Sequence, residues 1–464
     1  MLKNEVPFIE RRIQMRTYSR RDVFKQASLA VSATIGASLV RVPKLHAARS
    51  TRKKLGIAII GCGGQGKRLP LWMARSQRLV AMVDIDDKAI ATAIENIKDT
   101  DAQPKIYHDY RRMLDECHKD LNVVLIAAPD HHHAPAAKRA MERGLHTFSE
   151  KPLAHNIREC RILGEVAKKN KVFTAMGNQG HYGEGHHRLC EYIWAGAIGN
   201  VTEAHCIVDD SFGGYGGRPP SKPIPAHLHW NEWIGPAPYR DYHDDLHPAK
   251  WRKWRQFGTG GLGDMGCHNL DGAFDALRLG QANRYTVECI HLKGGSYEMY
   301  PLNIVLRWEF PARGDMPPVK VYAYEKADDM PEYLRELRRE LQPPSRVGSI
   351  FIGDKGYMYS GSFCLDTRIL PVKKHREYPP PLKTLMRTGG ALDEIFDAIE
   401  KGRSLTNDFT TTSGRLTEWI LTGHLAAFAG VGKKLQWDVK KMECTNYPQI
   451  NQYVGRTYRK GWEV

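Results

Sequence analysis

Nine cysteines are present, yet none forms a C-x-x-C pair and their spacing matches no metal motif. That excludes a small disulfide scaffold and a zinc ribbon, so the thiols read as mostly buried apolar groups. The chain has no run of about 18 uncharged apolar residues, which argues against a membrane-spanning helix. It has no internal repeat and no long low-complexity stretch, so a solenoid, a collagen-like chain and a wholly disordered chain are excluded. It also lacks zinc-finger spacing and a basic helix. The formal charge of +16 therefore does not indicate nucleic acid. Residues 1–48 alone carry nine Lys/Arg against three Asp/Glu, and Arg49, Arg52, Lys53 and Lys54 add four more positive charges. The other basic residues are scattered. What remains is ordinary globular composition, 42% hydrophobic and 26% charged over 464 residues. That length suits two domains.

The N-terminal segment has a pattern of its own. Ser19-Arg20-Arg21-Asp22-Val23-Phe24-Lys25 precedes a mildly apolar stretch, Ala27 to Val40, and a small-residue end at Leu45-His46-Ala47-Ala48. A charged start, a short apolar core and a small-residue end describe a signal peptide. The paired arginines point to the twin-arginine route, which exports folded proteins. We expect residues 1–48 to be that signal, with the twin-arginine machinery as partner and a periplasmic or secreted location.

Leu55-Gly-Ile-Ala-Ile-Ile60 reads as a buried parallel strand. Gly61-Cys62-Gly63-Gly64-Gln65-Gly66 follows it directly, then a helical stretch to Arg75 and a second strand ending at Asp84. This is a dinucleotide fingerprint in its proper context. Gly61 makes the turn, Gly63 and Gly64 with Gln65 let the backbone approach a pyrophosphate, and Gly66 allows close packing. Asp84 would accept hydrogen bonds from ribose hydroxyls. A 2′-phosphate would meet Asp84 and Asp86 with no arginine between them, which favours NAD over NADP. Further strands at 122–128, 145–149 and 172–176 alternate with helices at 133–143 and 157–170. That order predicts a doubly wound parallel sheet over 55–176. The loops Gly61–Gly66, Pro129–His133 and Glu150–Pro152 then converge at the carboxyl ends of its strands.

Glu150-Lys151-Pro152 after such a half resembles the signature of the Gfo/Idh/MocA oxidoreductases. Ala128-Pro129-Asp130-His131-His132-His133 resembles that family's preceding loop, and Gly260-Gly261-Leu262-Gly263-Asp264-Met265-Gly266-Cys267-His268 resembles its second catalytic segment. Lys434–Asp438 and Tyr458–Trp462 resemble the tail of its secreted members. The resemblance implies a second α+β domain over 177–464, with a large, mostly antiparallel open sheet whose face mediates homodimers or homotetramers. It implies catalytic roles for Lys151, Asp264 and His268: Lys151 and His268 hold a reacting hydroxyl and relay its proton, and Asp264 orients them. Which of Lys151 and His268 is the base stays open.

Around that core we expect Pro129, His131, Glu150, Lys151 and Gln179 to contact the cofactor along with the glycine loop and Asp84. Asn178 and His181 also fall near the domain junction. His133, Tyr182, Trp251, Trp254 and Arg255 are the candidate substrate contacts. The stretch 206–260 is rich in Gly, Pro, His and Trp; aromatic faces beside polar groups suit sugars, although the same tryptophans could merely pack a long loop. Adjacent histidines at 131–133 point in different directions. No carboxylate cluster accompanies that triplet, and although His227/His229 and His243/His247 have metal-compatible spacing, the loop around them is Pro- and Trp-rich, so no metal is expected. Residues 311–341 read as a proline-containing loop followed by a solvated charged helix. Residues 348–359 read as a β-hairpin turning at Asp354-Lys355-Gly356, and helices near 391–402 and 411–430 should pack back on the body. The whole points to an exported oxidoreductase with tightly bound NAD, acting on a secondary hydroxyl of a sugar or polyol. An NAD-dependent glycosidase is the alternative, and a non-catalytic carbohydrate-binding protein the least favoured reading.

Overall fold

Uniformly apolar strands need cover on both faces, and the first half of the chain supplies it with alternating helices. The structure, a computed structural model, describes residues 54–208, 212–339, 341 and 347–464. The expected signal segment, 1–48, lies outside the described residues. Six parallel strands form the first sheet: β1 (Gly56–Ile60), β2 (Arg78–Val83), β3 (Lys105–Tyr107), β4 (Val123–Ile126), β5 (His146–Ser149) and β6 (Thr174–Met176). Their order is β3-β2-β1-β4-β5-β6. Every residue of β1 and β4 is buried. The order reverses between β1 and β4, which opens a crevice at their carboxyl ends. Side-chain caps set the starts of the covering helices: Asp86, Asp109 and Asn156 accept hydrogen bonds from the backbone N–H of Lys88, Arg111 and Glu159.

The helix Asp130–Glu142 contains Pro135. Proline has no N–H for the carbonyl of His131, four residues back. Arg456 Nη2 donates to that oxygen instead, at 2.7 Å, and its guanidinium also pairs with the buried Glu159. The C-terminal tail is thereby fastened onto the first sheet's helices, where Arg111 stacks on Trp462 at 3.7 Å.

The second sheet has nine strands: β7 (Val201–Ile207), β8 (Arg284–Lys293), β9 (Asn303–Phe310), β10 (Val319–Tyr324), β11 (Gly348–Gly353), β12 (Gly356–Ser360), β13 (Thr367–Leu370), β14 (Leu435–Asp438) and β15 (Glu443–Cys444). They run in the order β13-β12-β11-β7-β10-β9-β8-β14-β15, antiparallel except for the β7–β10 pair. The fold is thus a Rossmann-type half followed by an α+β half with a mixed, mostly antiparallel sheet. Gly353 pairs with Gly356, so Asp354 and Lys355 form the expected two-residue turn. Strand β10 lies where the sequence suggested only a loop. Val319, Val321 and Ala323 are buried while Lys320 is exposed, a period-2 pattern masked by Pro317 and Pro318 before it. The charged helix Glu332–Arg339 is also not wholly solvated. Leu334 and Arg338 are buried, and Leu334 joins Ile207, Tyr324 and Ile350 in a cluster on the sheet.

The helix Ser413–Ala429 is buried along nearly its whole length, between the helices Ile157–Asn170 and Gly260–Asn269 and against β8. An all-round apolar helix suits that central place. Glu418 and Thr422 find partners locally: Arg161 donates to Glu418 at 2.5 and 2.9 Å, Trp437 Nε1 donates to Glu418 at 3.2 Å, and Trp308 Nε1 donates to Thr422 at 3.1 Å. The helix Ala391–Lys401 packs against β6 and β5, so the late chain returns to the first sheet as expected. All nine cysteines are free and buried. Among the described residues no helix is long and apolar enough to cross a membrane.

Glu418 is 1% exposed and relies on Arg161 for its counter-charge. Arg161→Ala should therefore destabilise the protein by about 3 kcal/mol in urea unfolding, because it strands a buried carboxylate. Glu418→Gln in the same background should restore much of that loss.

Candidate active site

The glycine loop is built where the chain nearly touches itself. Gly61 has φ +92°, and a Cβ there would lie 2.5 Å from the carbonyl oxygen of Ala127; one on Gly66 would lie 2.0 Å from that of Gly61. No larger residue fits either position without moving backbone. Gly64, in contrast, faces open space. The cleft in front of the loop has a volume of about 370 Å³ and is lined by Gly61, Gly63, Gly64, Gln65, Asp84, Pro129, Glu150, Lys151 and Trp251. A larger depression of about 790 Å³ lies on the second sheet, lined by residues such as Glu309 and Gln436, and none of the three converging loops reaches it.

Asp84 ends β2 beneath the loop. Its Oδ2 accepts from the N–H groups of Cys62 (2.7 Å) and Gly63 (3.2 Å), and its Oδ1 from that of Asp86 (3.0 Å). Burial pushes its carboxyl above the ordinary range, against those hydrogen bonds. A carboxylate offers about four acceptor sites. Three are engaged, which leaves one for a ribose hydroxyl. The loop, the open Gly64 and this carboxylate fit a dinucleotide.

Lys151 follows β5 and reaches across to the helix Gly260–Asn269. Its Nζ donates to Asp264 Oδ1 at 2.8 Å and to the Asp264 carbonyl at 2.9 Å. Arg252 Nε donates to the same Oδ1 at 3.0 Å. Burial opposes ionisation of Asp264, yet Lys151 and Arg252 beside it hold its carboxyl below the usual range. His268, one turn on, does not hydrogen-bond to Asp264. Its Nδ1 lies 2.7 Å from Asn178 Oδ1, and Asn178 Nδ2 donates to the Cys267 carbonyl at 2.7 Å. The second bond fixes the amide, so Oδ1 faces the ring, Nδ1 carries the proton and Nε2 is left as an acceptor. Burial, reinforced by Lys151, lowers the His268 pKa to about 3. The structure thus divides the orienting role given to Asp264: Asp264 holds Lys151, and Asn178 holds His268.

Two carboxyls flank this pair. Burial pushes Glu150 and Asp130 up to about 7. Glu150 Oε2 has no hydrogen-bond partner, whereas Asp130 Oδ2 accepts from Thr259 Oγ1 at 2.6 Å. Arg252, Asn178 and Asp130 carry the geometry, although the motif reading gave none of them a role; only Asn178, by its place after β6, had a signal.

Other expected contacts lie outside the cleft. His131 is fully buried, with ring nitrogens 3.2 and 2.9 Å from the carbonyls of Phe257 and Trp233; its neighbour His132 lines the cleft instead. His133 bridges the carbonyls of Pro152 and Ala128, joining two of the converging loops from behind. Gln179 is exposed, and Tyr182 is buried with its hydroxyl on the Met176 carbonyl. Trp254 is 1% exposed, donates to Asp245 O and carries Arg240 over its ring at 4.6 Å. It packs with Trp230, Trp233 and Phe257 in a small core that includes Ile85. Arg255 donates to the Met299 carbonyl and stacks on Phe428 at 4.0 Å. Of the five proposed substrate contacts, only Trp251 faces the cleft, with Arg252 over its ring at 4.4 Å.

The neutral state of His268 has a consequence for stability. Its folded pKa is about 3, against an ordinary value of 6.5, so between these limits the unfolded chain binds the extra proton. Stability from this group is complete above pH 6.5 and falls as the pH drops. From pH 7 to pH 5 the wild type should lose about 2 kcal/mol relative to His268→Asn in urea unfolding, in proportion to the depressed pKa.

Two family models match the chain. Residues 55–178 match the model described as an oxidoreductase family, NAD-binding Rossmann fold, and residues 214–289 match that family's C-terminal alpha/beta domain. An inositol 2-dehydrogenase of Salmonella paratyphi B is 29% identical over 152 residues, 32% of this chain and 45% of that protein. A glycosyl hydrolase family 109 protein of Shewanella baltica is 26% identical over 208 residues, 40% of this chain and 45% of that protein. The chain thus spans a little under half the length of these curated relatives. The aldose-aldose oxidoreductase of Caulobacter crescentus, solved with glycerol, superposes with a TM-score of 0.55 at 17% identity, covering 82% of this chain and 99% of that one, which shows a shared fold. The two models match separate stretches, one in each domain, and in both stretches the chain is similar to the Gfo/Idh/MocA oxidoreductase family.

Proposed function

We propose that the protein is an NAD-dependent oxidoreductase that oxidises a secondary hydroxyl of a sugar or polyol, removing hydride from the carbon and a proton from the oxygen. One observation carries this reading: a lysine ion-paired to Asp264 lies in the same cleft as the dinucleotide loop, with the neutral His268 one helical turn beyond Asp264. An ammonium has three donors. Asp264 takes two, which leaves one for a substrate oxygen. His268 Nε2, unprotonated, is placed to accept a hydrogen bond from the hydroxyl, although its low pKa makes it a weak base. Arg252 and Lys151 keep Asp264 ionised, so the ammonium stays oriented. Trp251 gives the cleft an apolar face for the C–H side of a sugar ring. The bound nicotinamide would supply the hydride acceptor. The half-buried carboxylate of Asp84 disfavours a 2′-phosphate, hence NAD over NADP.

The twin-arginine pattern at Arg20-Arg21 supports export. Free NAD is scarce outside the cytoplasm, so an exported enzyme would carry its cofactor tightly. The open second sheet would serve a homodimer or homotetramer. A redox glycosidase uses the same parts, and the Shewanella relative favours keeping that second reading.

The purified protein, once denatured, should release NAD. The intact protein should show a substrate-dependent rise in reduced nicotinamide against a panel of sugars. Cleavage of aryl glycosides with no net rise would select the glycosidase. Lys151→Met should lower turnover by about 10²–10⁴-fold while nucleotide remains bound, as expected for loss of a positioned proton-transfer group. Unchanged turnover would remove Lys151 from the reaction.

A further inference from the structure

Four side chains that play no part in the chemistry above converge behind His268. His181 lies in the turn after β6, and His186 begins the helix Glu184–Trp194. Asp271 and Asp275 occupy one face of the helix Asp271–Ala276. One atom from each, His181 Nδ1, His186 Nε2, Asp271 Oδ2 and Asp275 Oδ2, lies within 4.8 Å of all the others. The four His–Asp separations are 3.1, 3.7, 3.5 and 3.4 Å. Donor atoms placed tetrahedrally about 2.0–2.1 Å from one ion stand about 3.3–3.4 Å apart. The four His–Asp edges thus come close to those of a metal tetrahedron, and the His–His and Asp–Asp edges are within 4.8 Å.

A second observation is independent of that spacing. His186 is 2% exposed, yet neither of its ring nitrogens has a hydrogen-bond partner. Its Nε2 points at two carboxylate oxygens without making a hydrogen bond to either. Such an orphan is costly in a packed interior unless something else occupies the space between. Two carboxylates also lie together here: Asp271 is buried, 1% exposed, and the Asp275 side chain is half-buried, 27% exposed. A dication would balance both.

We propose that His181, His186, Asp271 and Asp275 form a structural Zn²⁺ site. Two imidazoles and two carboxylates in a tetrahedron suit zinc; magnesium and calcium require six or more oxygens, and Cu²⁺ favours a tetragonal plane. Four protein ligands close the coordination sphere, which marks a structural ion. Its position gives it a purpose. Asp271 follows His268 by three residues, and His181 follows Asn178 by three. The ion would therefore clamp together the two chain segments that carry His268 and its hydrogen-bond partner. The sequence hides this site because its halves, H-x4-H and D-x3-D, lie more than 80 residues apart.

The test uses the whole chain, purified without a polyhistidine tag, and elemental analysis after dialysis. About one zinc per chain is expected. Chelation should lower the melting temperature, and ZnCl₂ alone should restore it. Co²⁺ in its place should give the intense visible absorption of a tetrahedral centre. Asp275→Asn, at the solvent edge of the cluster, and His186→Ala should each weaken zinc binding by more than about 100-fold, beyond the usual effect of an outer-shell change. If His186→Ala does not fold, Asp275→Asn decides alone. Zinc at background after exposure of the native chain to ZnCl₂ would overturn the proposal and leave a proton-shared His–Asp cluster. Undiminished zinc in Asp275→Asn would overturn it as well.

Discussion

The ion pair between Lys151 and Asp264 is the constraint around which the rest of the molecule is arranged. It joins residues 113 apart, one on a loop after β5 and the other on the helix Gly260–Asn269, which packs on the helix Ser413–Ala429. A buried ammonium and carboxylate are tolerated only when they meet in good geometry, because each loses several kcal/mol of solvation. The two halves of the chain must therefore be held in register to a fraction of an ångström. The buried helix Ser413–Ala429 does this from below, wedged between the helix that follows the Lys151 loop and the helix that carries Asp264. The tail does it from outside, through Arg456 on Glu159 and on the carbonyl freed by Pro135. Each of these contacts is remote from the cleft, and each bears on the distance between Lys151 and Asp264.

The same burial sets the protonation of everything nearby, and it acts in opposite directions on acids and bases. Glu150 and Asp130 are pushed up to about 7, and His268 down to about 3. Asp264 alone among these is held ionised, because two cations touch it. The cleft therefore pairs one fixed negative charge with the Lys151 and Arg252 cations and surrounds them with groups that prefer to be neutral. In such surroundings a single ammonium donor is weakly screened, so any oxygen that meets it would feel its charge strongly.

How much of this was legible in the sequence depended on range. The glycine loop, Asp84 and Lys151 are local: each follows a strand, and strand, turn and residue sit within a few positions of one another. The residues that complete the site are not. Arg252 reaches Asp264 and Asn178 reaches His268 only once two sheets are folded, and no spacing rule connects them. His131 and His132 show the finer limit. Successive helical residues point about 100° apart. Which of them faces the cleft depends on the register set at Pro129, and the triplet itself is silent on that. The tryptophans of 228–257 failed to sort for a related reason: an irregular loop has no period, so nothing separates Trp254, which only packs the loop's own core, from Trp251, which belongs to that core and also borders the cleft.

That small aromatic core is itself part of the site's construction. Trp230, Trp233, Trp254 and Phe257 pack around Ile85, the residue after Asp84, and the chain at 227–229 adds backbone hydrogen bonds to Ile85 and Asp87. The second half of the chain thus grips the end of β2, where Asp84 turns back under the glycine loop. A long Gly- and Pro-rich insertion would ordinarily be mobile. Here its aromatic content anchors it to the first sheet, and its last turn delivers Trp251 and Arg252 to the cleft. The loop that looked like a substrate platform is first a brace. What it lends to the cleft is a wall, to which Trp233, His247, Trp251 and Arg252 contribute, with Arg252 on Asp264.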